Sequence, residues 1–124
     1  MNYRTVTVNG SEVFYRESGD PSAPTLLLLH GFPSSSAQYE QLIQPLARSC
    51  HVIAPDYPGF GQSRALTGTT TFDRLADVTD AFIRAKGLDR FSLYMFDFGS
   101  PVGFRVASRD PERVQGLVLQ NGNA

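Results

Sequence analysis

Three stretches of this chain combine residues able to do chemistry with glycines and prolines that hold such residues at turns. They are His30-Gly31-Phe32-Pro33, Asp56-Tyr57-Pro58-Gly59-Phe60-Gly61 and Asp97-Phe98-Gly99-Ser100-Pro101. The third is the most informative. A mostly apolar run, Phe91 to Phe96, leads straight into Asp97, and a segment that reads as helix follows. A tight strand-to-helix turn lifts its central side chain over the sheet edge, and Gly99 lets the backbone pass closely at that corner. The helix N-terminus beyond it directs amide N–H groups and a positive dipole at the same place. These features favour an ionised carboxylate, the form in which Asp97 is a nucleophile. Asp is also a preferred helix N-cap, and the segment alone leaves that structural role open.

Other reactive residue types are few. Cys50 is the single cysteine, which excludes an internal disulfide framework and a cysteine-based zinc site. Its place before His51, at the start of an apolar run, suits a buried structural thiol. With only His30 and His51 present, no multi-histidine metal site is expected, and nothing in the sequence calls for a cofactor. Ser100 falls inside the first helical turn rather than at the corner, with no base to activate it.

The elements that would position these residues read as alternating strands and helices. Thr5–Val8 and Val13–Tyr15 flank Asn9-Gly10, a hairpin signal. Thr25–Leu29, His51–Ala54 and Phe91–Phe96 are apolar runs expected for strands buried on both faces of a parallel sheet, and Val114–Leu119 reads as a last apolar strand. Ser35 and Gln38 have capping-box spacing ahead of a stripe at Tyr39, Leu42, Ile43 and Leu46, with Pro45 expected to kink or end that helix. Thr70 and Asp73 have the same spacing before a second stripe through Phe72, Leu75, Ala76, Phe82 and Ile83, and Gly87 is the expected C-cap. Pro101 suits the first turn of a third helix reaching about Ser108. The expected fold class is α/β, with a mostly parallel sheet, an N-terminal antiparallel hairpin and helices on both faces. Ligands of such sheets bind beyond the carboxyl ends of the strands, which is where the three stretches lie.

Composition narrows the function classes. With 124 residues, 41% hydrophobic and 19% charged, the chain suits one packed domain and excludes a disordered or tail-like protein. Ten Arg and one Lys are scattered and the net charge is -1, so no basic patch points to nucleic acid, and the positive charges read as solvated surface. The N-terminus has no apolar signal region, and Leu26–Leu29 is far too short to span a bilayer. A cytoplasmic protein without membrane partners is expected.

The blocks Leu29-His30-Gly31-Phe32-Pro33, Asp56 to Ser63 and Asp97 to Arg105 together resemble the N-terminal part of an α/β-hydrolase. Asp at the corner is similar to the clade containing epoxide hydrolases and haloalkane dehalogenases, whereas most other members carry Ser there. The resemblance implies that Asp97 attacks a substrate carbon to form an ester. It implies that the backbone N–H groups of Phe32 and Phe98 form the oxyanion hole when water cleaves that ester. His30 resembles the structural histidine before the oxyanion loop, and Asp56 the strand-end acid that fixes the loop ahead of it. The resemblance also implies structural places near the site for Gly31 and Gly99.

The chain departs from that pattern in three ways. Met95 stands two residues before the nucleophile, where the family usually has a small residue. The halide-binding Trp N–H of dehalogenases is replaced by Phe98, and the second common halide donor by Phe32, which ranks epoxide or ester hydrolysis above dehalogenation. No His follows Asp97 and no acid follows Val114, so the family's general base and its partner acid are missing, as are the cap and its tyrosines. The expectation is a single partial core over residues 1–124, the first six strands, acting on a small molecule. The alternative is a catalytically incomplete fragment, with self-association through the exposed edge of strand 114–119.

Overall fold

The computed structural model describes residues 1–122. A hairpin opens the fold: β1 (Asn2–Val8) and β2 (Ser11–Ser18) pair antiparallel around Asn9-Gly10, both with positive φ as a type I′ turn requires. There follow β3 (Thr25–Leu29), a 3-10 turn (Ser36–Tyr39), α1 (Glu40–Leu46) and β4 (His51–Pro55). The chain continues through α2 (Phe72–Ala85), β5 (Phe91–Phe96), α3 (Gly99–Arg109), a 3-10 turn (Pro111–Arg113) and β6 (Val114–Gln120). The six strands form one sheet in the order β1-β2-β4-β3-β5-β6. β2 meets β4 antiparallel, and β4, β3, β5 and β6 run parallel.

The unalternated apolar runs have the physical cause expected of them. Leu27 and Leu29 of β3 face α2 and α3, in a core with Ile53, Leu75, Phe82, Leu93, Met95 and Val102. Leu28 faces the opposite side with Val52, Ala54, Tyr39 and Ile43, under α1. Both faces are covered, so the central strands are mostly apolar on each side. The register places Leu29 beside Met95 and closes β3 and β5 together, so their two following loops leave the sheet side by side.

Several local expectations are corrected. Ser35 caps the 3-10 turn by accepting from Ala37 N–H at 3.1 Å, while the Gln38 side chain turns away to accept from Gly31 N–H at 3.0 Å. No reciprocal capping box forms, and the α-helix proper starts only at Glu40. Thr71, not Thr70, caps α2, accepting from Arg74 N–H at 3.1 Å. Pro45 stands inside the short α1, one residue before its end. Leu42 of the first stripe is exposed, and Cys50 is half-buried rather than buried.

The positive charges are also more structural than their scatter implies. Arg109 and Arg113 converge on the buried Asp80 at 2.8 and 2.9 Å, tying α2 to α3 and the turn beyond it. Arg16 bridges Ser36 and Glu40, joining the hairpin to α1.

Among the described residues β6 pairs only with β5, and its Leu117, Val118 and Leu119 are 48%, 48% and 50% exposed. No helix there is long and apolar enough to cross a membrane.

Candidate active site

At the end of β5 the chain turns through Asp97 and Phe98 into α3. Asp97 has φ +54, a left-handed conformation that costs a non-glycine residue roughly 1–2 kcal/mol. Packing holds it there. A Cβ on Gly99 would run into the Leu29 carbonyl, and one on Gly31 would lie 2.7 Å from the Asp97 Cβ. The two loops therefore touch backbone to backbone. Ser100 N–H closes the corner on the Asp97 carbonyl at 3.0 Å. Asp97 is not the N-cap of α3, since Phe98 occupies that position. Its carboxylate reaches across to the loop after β3, where Oδ2 accepts from Phe32 N–H at 2.9 Å. Oδ1 has no hydrogen-bond partner among the described residues.

Met95, two residues before Asp97, is fully buried. It fits because α3 carries Gly103 where it crosses β5. A Cβ there would stand 2.7 Å from the Met95 Cγ and closer still to the sulfur. The small residue usual at position 95 has in effect been moved to the facing helix.

Beneath the corner, His30 is fully buried. Tyr57 N–H donates to its Nε2 at 3.2 Å, so the ring proton sits on Nδ1, which donates to the Gly31 carbonyl at 2.8 Å. Burial holds the imidazole below its ordinary pKa, against the opposing pull of the Gly31 carbonyl and Asp56. With both nitrogens engaged, His30 shapes the loop and has no free lone pair for a water. Asp56, also buried, accepts from Ser36 N–H at 2.7 Å through Oδ1 and from Gln62 N–H at 2.9 Å through Oδ2. It thereby joins the loops after β3 and β4. Gly61, at φ +51, passes so close to Oδ2 that a Cβ would overlap it.

Three supports of the site carried no sequence signal for that role. Gln38 holds the Gly31 N–H. Tyr39 donates its hydroxyl to the Leu29 carbonyl at 2.7 Å, directly under the corner. Ser63 donates to the Asp56 carbonyl at 2.8 Å and accepts from Phe14 N–H at 2.9 Å.

An aromatic wall flanks Asp97. The exposed Phe32 ring stacks on Phe98 with centroids 4.9 Å apart, and Phe60 and Phe72 meet Phe98 edge-on at 6.4 and 4.9 Å. His51, the second histidine, lies at the opposite end of the strands, bonded to Glu17 at 2.5 Å. No three His, Cys, Asp or Glu side chains gather closely enough among the described residues to ligate a metal ion.

The family model described as alpha/beta hydrolase fold matches residues 24–124. The chain belongs to the α/β-hydrolase fold family. Similar relatives include an uncharacterized hydrolase of Saccharomyces cerevisiae, 46% identical over 94% of this chain and 40% of that protein. Another is a haloalkane dehalogenase of Bradyrhizobium diazoefficiens, 38% identical over 96% of this chain and 38% of the relative. The crystal structure of haloalkane dehalogenase DbeA from Bradyrhizobium elkani superposes with a TM-score of 0.94 at 36% identity, covering 98% of this chain and 42% of that one. The chain thus spans about 40% of the length of the relatives it matches. In this α/β-hydrolase sheet the three chemistry-bearing stretches all sit at the carboxyl ends of β3, β4 and β5.

Proposed function

We propose that Asp97 is the nucleophile of an α/β-hydrolase active site that opens epoxides through a covalent ester. The reading rests on one observation above all: a carboxylate raised on a left-handed corner with one oxygen on Phe32 N–H and the other without a hydrogen-bond partner among the described residues. Oδ1 attacks an oxirane carbon and the C–O bond breaks. The ring oxygen leaves as an alkoxide, which takes a proton from water. Oδ2 becomes the ester carbonyl oxygen. It already accepts from Phe32 N–H, so charge arriving on it when water attacks the ester meets a donor in place, with Phe98 N–H as the second. His30, Gly31, Asp56 and Gly99 act by holding the two loops in contact.

The step that frees the product needs a base, and neither histidine of this chain suits it. His30 is committed on both nitrogens and His51 is at the far end of the sheet. The chain by itself is therefore a partial core that forms the ester without turning over. Epoxides stand ahead of haloalkanes, despite the dehalogenases among the relatives, because Phe32 and Phe98 offer a departing halide no side-chain N–H. An epoxide's leaving oxygen stays attached and requires only a proton.

A second, non-catalytic reading is favoured by β6. Its edge carries no charged residue and three half-exposed apolar side chains, the kind of strand that pairs with another chain. An epoxide turnover assay separates the readings. Catalytic release of diol above background, lost in Asp97→Ala, would show that the chain supplies its own base and would defeat the incomplete-core reading. Where the protein turns over, multiple cycles in ¹⁸O-labelled water place the label in Asp97. Product formation with an unlabelled Asp97 excludes the ester mechanism.

A further inference from the structure

A second group of reactive side chains stands at the end of the sheet away from Asp97, and strand register assembles it. Thr25 is the parallel partner of His51, so the first residues of β3 and β4 place their side chains next to each other on one face. β2 pairs Glu17 with Ile53, two positions along β4 from His51, which puts Glu17 diagonally beside the imidazole on that same face. Lys86, directly after α2, closes on the group: its ammonium donates to Glu17 Oε1 at 3.1 Å and to the Tyr15 hydroxyl at 3.3 Å. From Thr25 to Leu29 the strand rises roughly 13 Å, which separates this group from the Asp97 corner.

The hydrogen bonds have one direction. Glu17 Oε2 lies 2.5 Å from His51 Nε2. A carboxylate only accepts, so Nε2 carries the proton, and Nδ1 of the neutral ring is an acceptor. The Thr25 hydroxyl lies 3.2 Å from that Nδ1. The order is hydroxyl, imidazole, carboxylate: a nucleophile, its base and the group that orients the base. Burial raises the pKa of Glu17, but the bonds from His51 and Lys86 outweigh it and hold the carboxyl below its ordinary range, so it stays ionised. Burial lowers the pKa of Lys86, but its bonds to Glu17 and Tyr15 outweigh that, so it stays an ammonium and does not compete as a nucleophile.

His51 is buried, whereas Thr25 is half-buried, and both line a cleft of about 580 Å³. That volume suits a small molecule. Lys86 and Arg90 line it too, against a single acid, Asp89, so negative charge developing there meets a net positive wall.

We infer that Thr25 is an acyl-accepting nucleophile, with His51 as its base and Glu17 as the residue that positions His51, and that this cleft takes small activated esters. In the step concerned, the bond from Thr25 Oγ1 to the acyl carbon forms and the acyl bond to the leaving oxygen breaks. The hydroxyl proton passes to His51 Nδ1 and from there to solvent, and the leaving group departs as its anion. The site is independent of the reaction at Asp97.

The probe is p-nitrophenyl acetate, with nitrophenolate release followed by absorbance and the acetyl group mapped by peptide mass spectrometry. Acetyl is expected on residue 25 in the wild type and in Thr25→Ser, which keeps the hydroxyl, and not in Thr25→Val, which keeps the shape. His51→Gln slows acetylation at Thr25 by about 100-fold or more, the low end of what a positioned base supplies. Glu17→Gln still accepts from Nε2 but is uncharged. It slows the step by about tenfold, the difference between a charged and a neutral hydrogen bond. It also moves the half-maximal rate to lower pH, because losing an adjacent negative charge disfavours the imidazolium while Asp20 and Lys86 remain as the other charges around the ring. A purely structural role for Glu17 would leave that pH in place. Urea midpoints separate lost chemistry from lost folding in each variant. The wild-type map decides even where a variant does not fold: acetyl on Lys86, Asp97 or the N-terminal amine with none on Thr25 overturns the inference, as does an unchanged rate at Thr25 in folded His51→Gln.

Discussion

The fit of Met95 under Gly103 gives a stability prediction in which two mutations, each harmful, compensate one another. In Gly103→Ala the new methyl would lie 2.7 Å from the Met95 Cγ, where carbon atoms normally rest at about 3.5–4.0 Å. Met95 is fully buried, so it must shift by roughly an ångström inside a packed core. Overpacking of that kind costs about 1–3 kcal/mol. Alanine is favoured over glycine inside a helix by ~1 kcal/mol, so the net loss is expected at about 0–2 kcal/mol. Met95→Ala removes the clash partner but leaves a cavity, at about 2–5 kcal/mol. In the double variant the methyl introduced at position 103 enters part of the vacated space, the clash is gone and the helix gain remains. The pair should therefore be less destabilised than the sum of the singles by about 1–3 kcal/mol, the range found for residues in contact. Urea unfolding of all four proteins, with ΔΔG taken from midpoints at a common slope, measures this directly. Additivity within ~0.5 kcal/mol would refute the idea that Gly103 makes room for Met95.

Three further outcomes are expected. Burial keeps His30 neutral with its pKa below the ordinary value, so below about pH 6.5 the unfolded chain takes up a proton that the folded one refuses. Its contribution is complete above that pH and is lost as pH falls towards the folded pKa. Urea midpoints should drop between about pH 7.5 and 5.5, and an equal drop in His30→Gln would count against this. Asp56→Ala leaves the Ser36 and Gln62 N–H groups without their acceptor, and at ~1.5–3 kcal/mol for each bond to a charged group the loss should reach about 3 kcal/mol or more. A loss under ~1 kcal/mol in chemical denaturation would contradict the clamp. Val118→Lys places a charge on the exposed edge of β6 and should abolish self-association seen by sedimentation at tens of micromolar. A wild-type chain that sediments as a monomer removes the second reading.

What could be read from the sequence was what depends on local pattern. β3 and β4 declare themselves because burial on both faces leaves little room for alternation, and Asn9-Gly10 because few residues tolerate positive φ twice in succession. The corner at Asp97 was legible through Gly99, which only close backbone contact explains. Contacts between distant residues were not legible. Gln38 had the spacing of a capping residue, but the Gly31 N–H, seven positions earlier, competed for its side chain and won. Thr70 had the capping-box spacing, but the path of the loop brings its neighbour Thr71 to the cap. The arginines looked scattered because Arg109 and Arg113 meet Asp80 across 29 and 33 residues of chain. The room for Met95 is made by Gly103, eight residues on in the facing helix.

The nucleophile assignment is tested most directly by incubating the 124-residue chain with excess styrene oxide and mapping the product by peptide mass spectrometry. A single adduct carrying the whole mass of the oxide is expected on Asp97 and is absent from Asp97→Asn, with the peptides that lack Asp97 unmodified. An unmodified Asp97, or an adduct that persists in Asp97→Asn, would contradict the assignment.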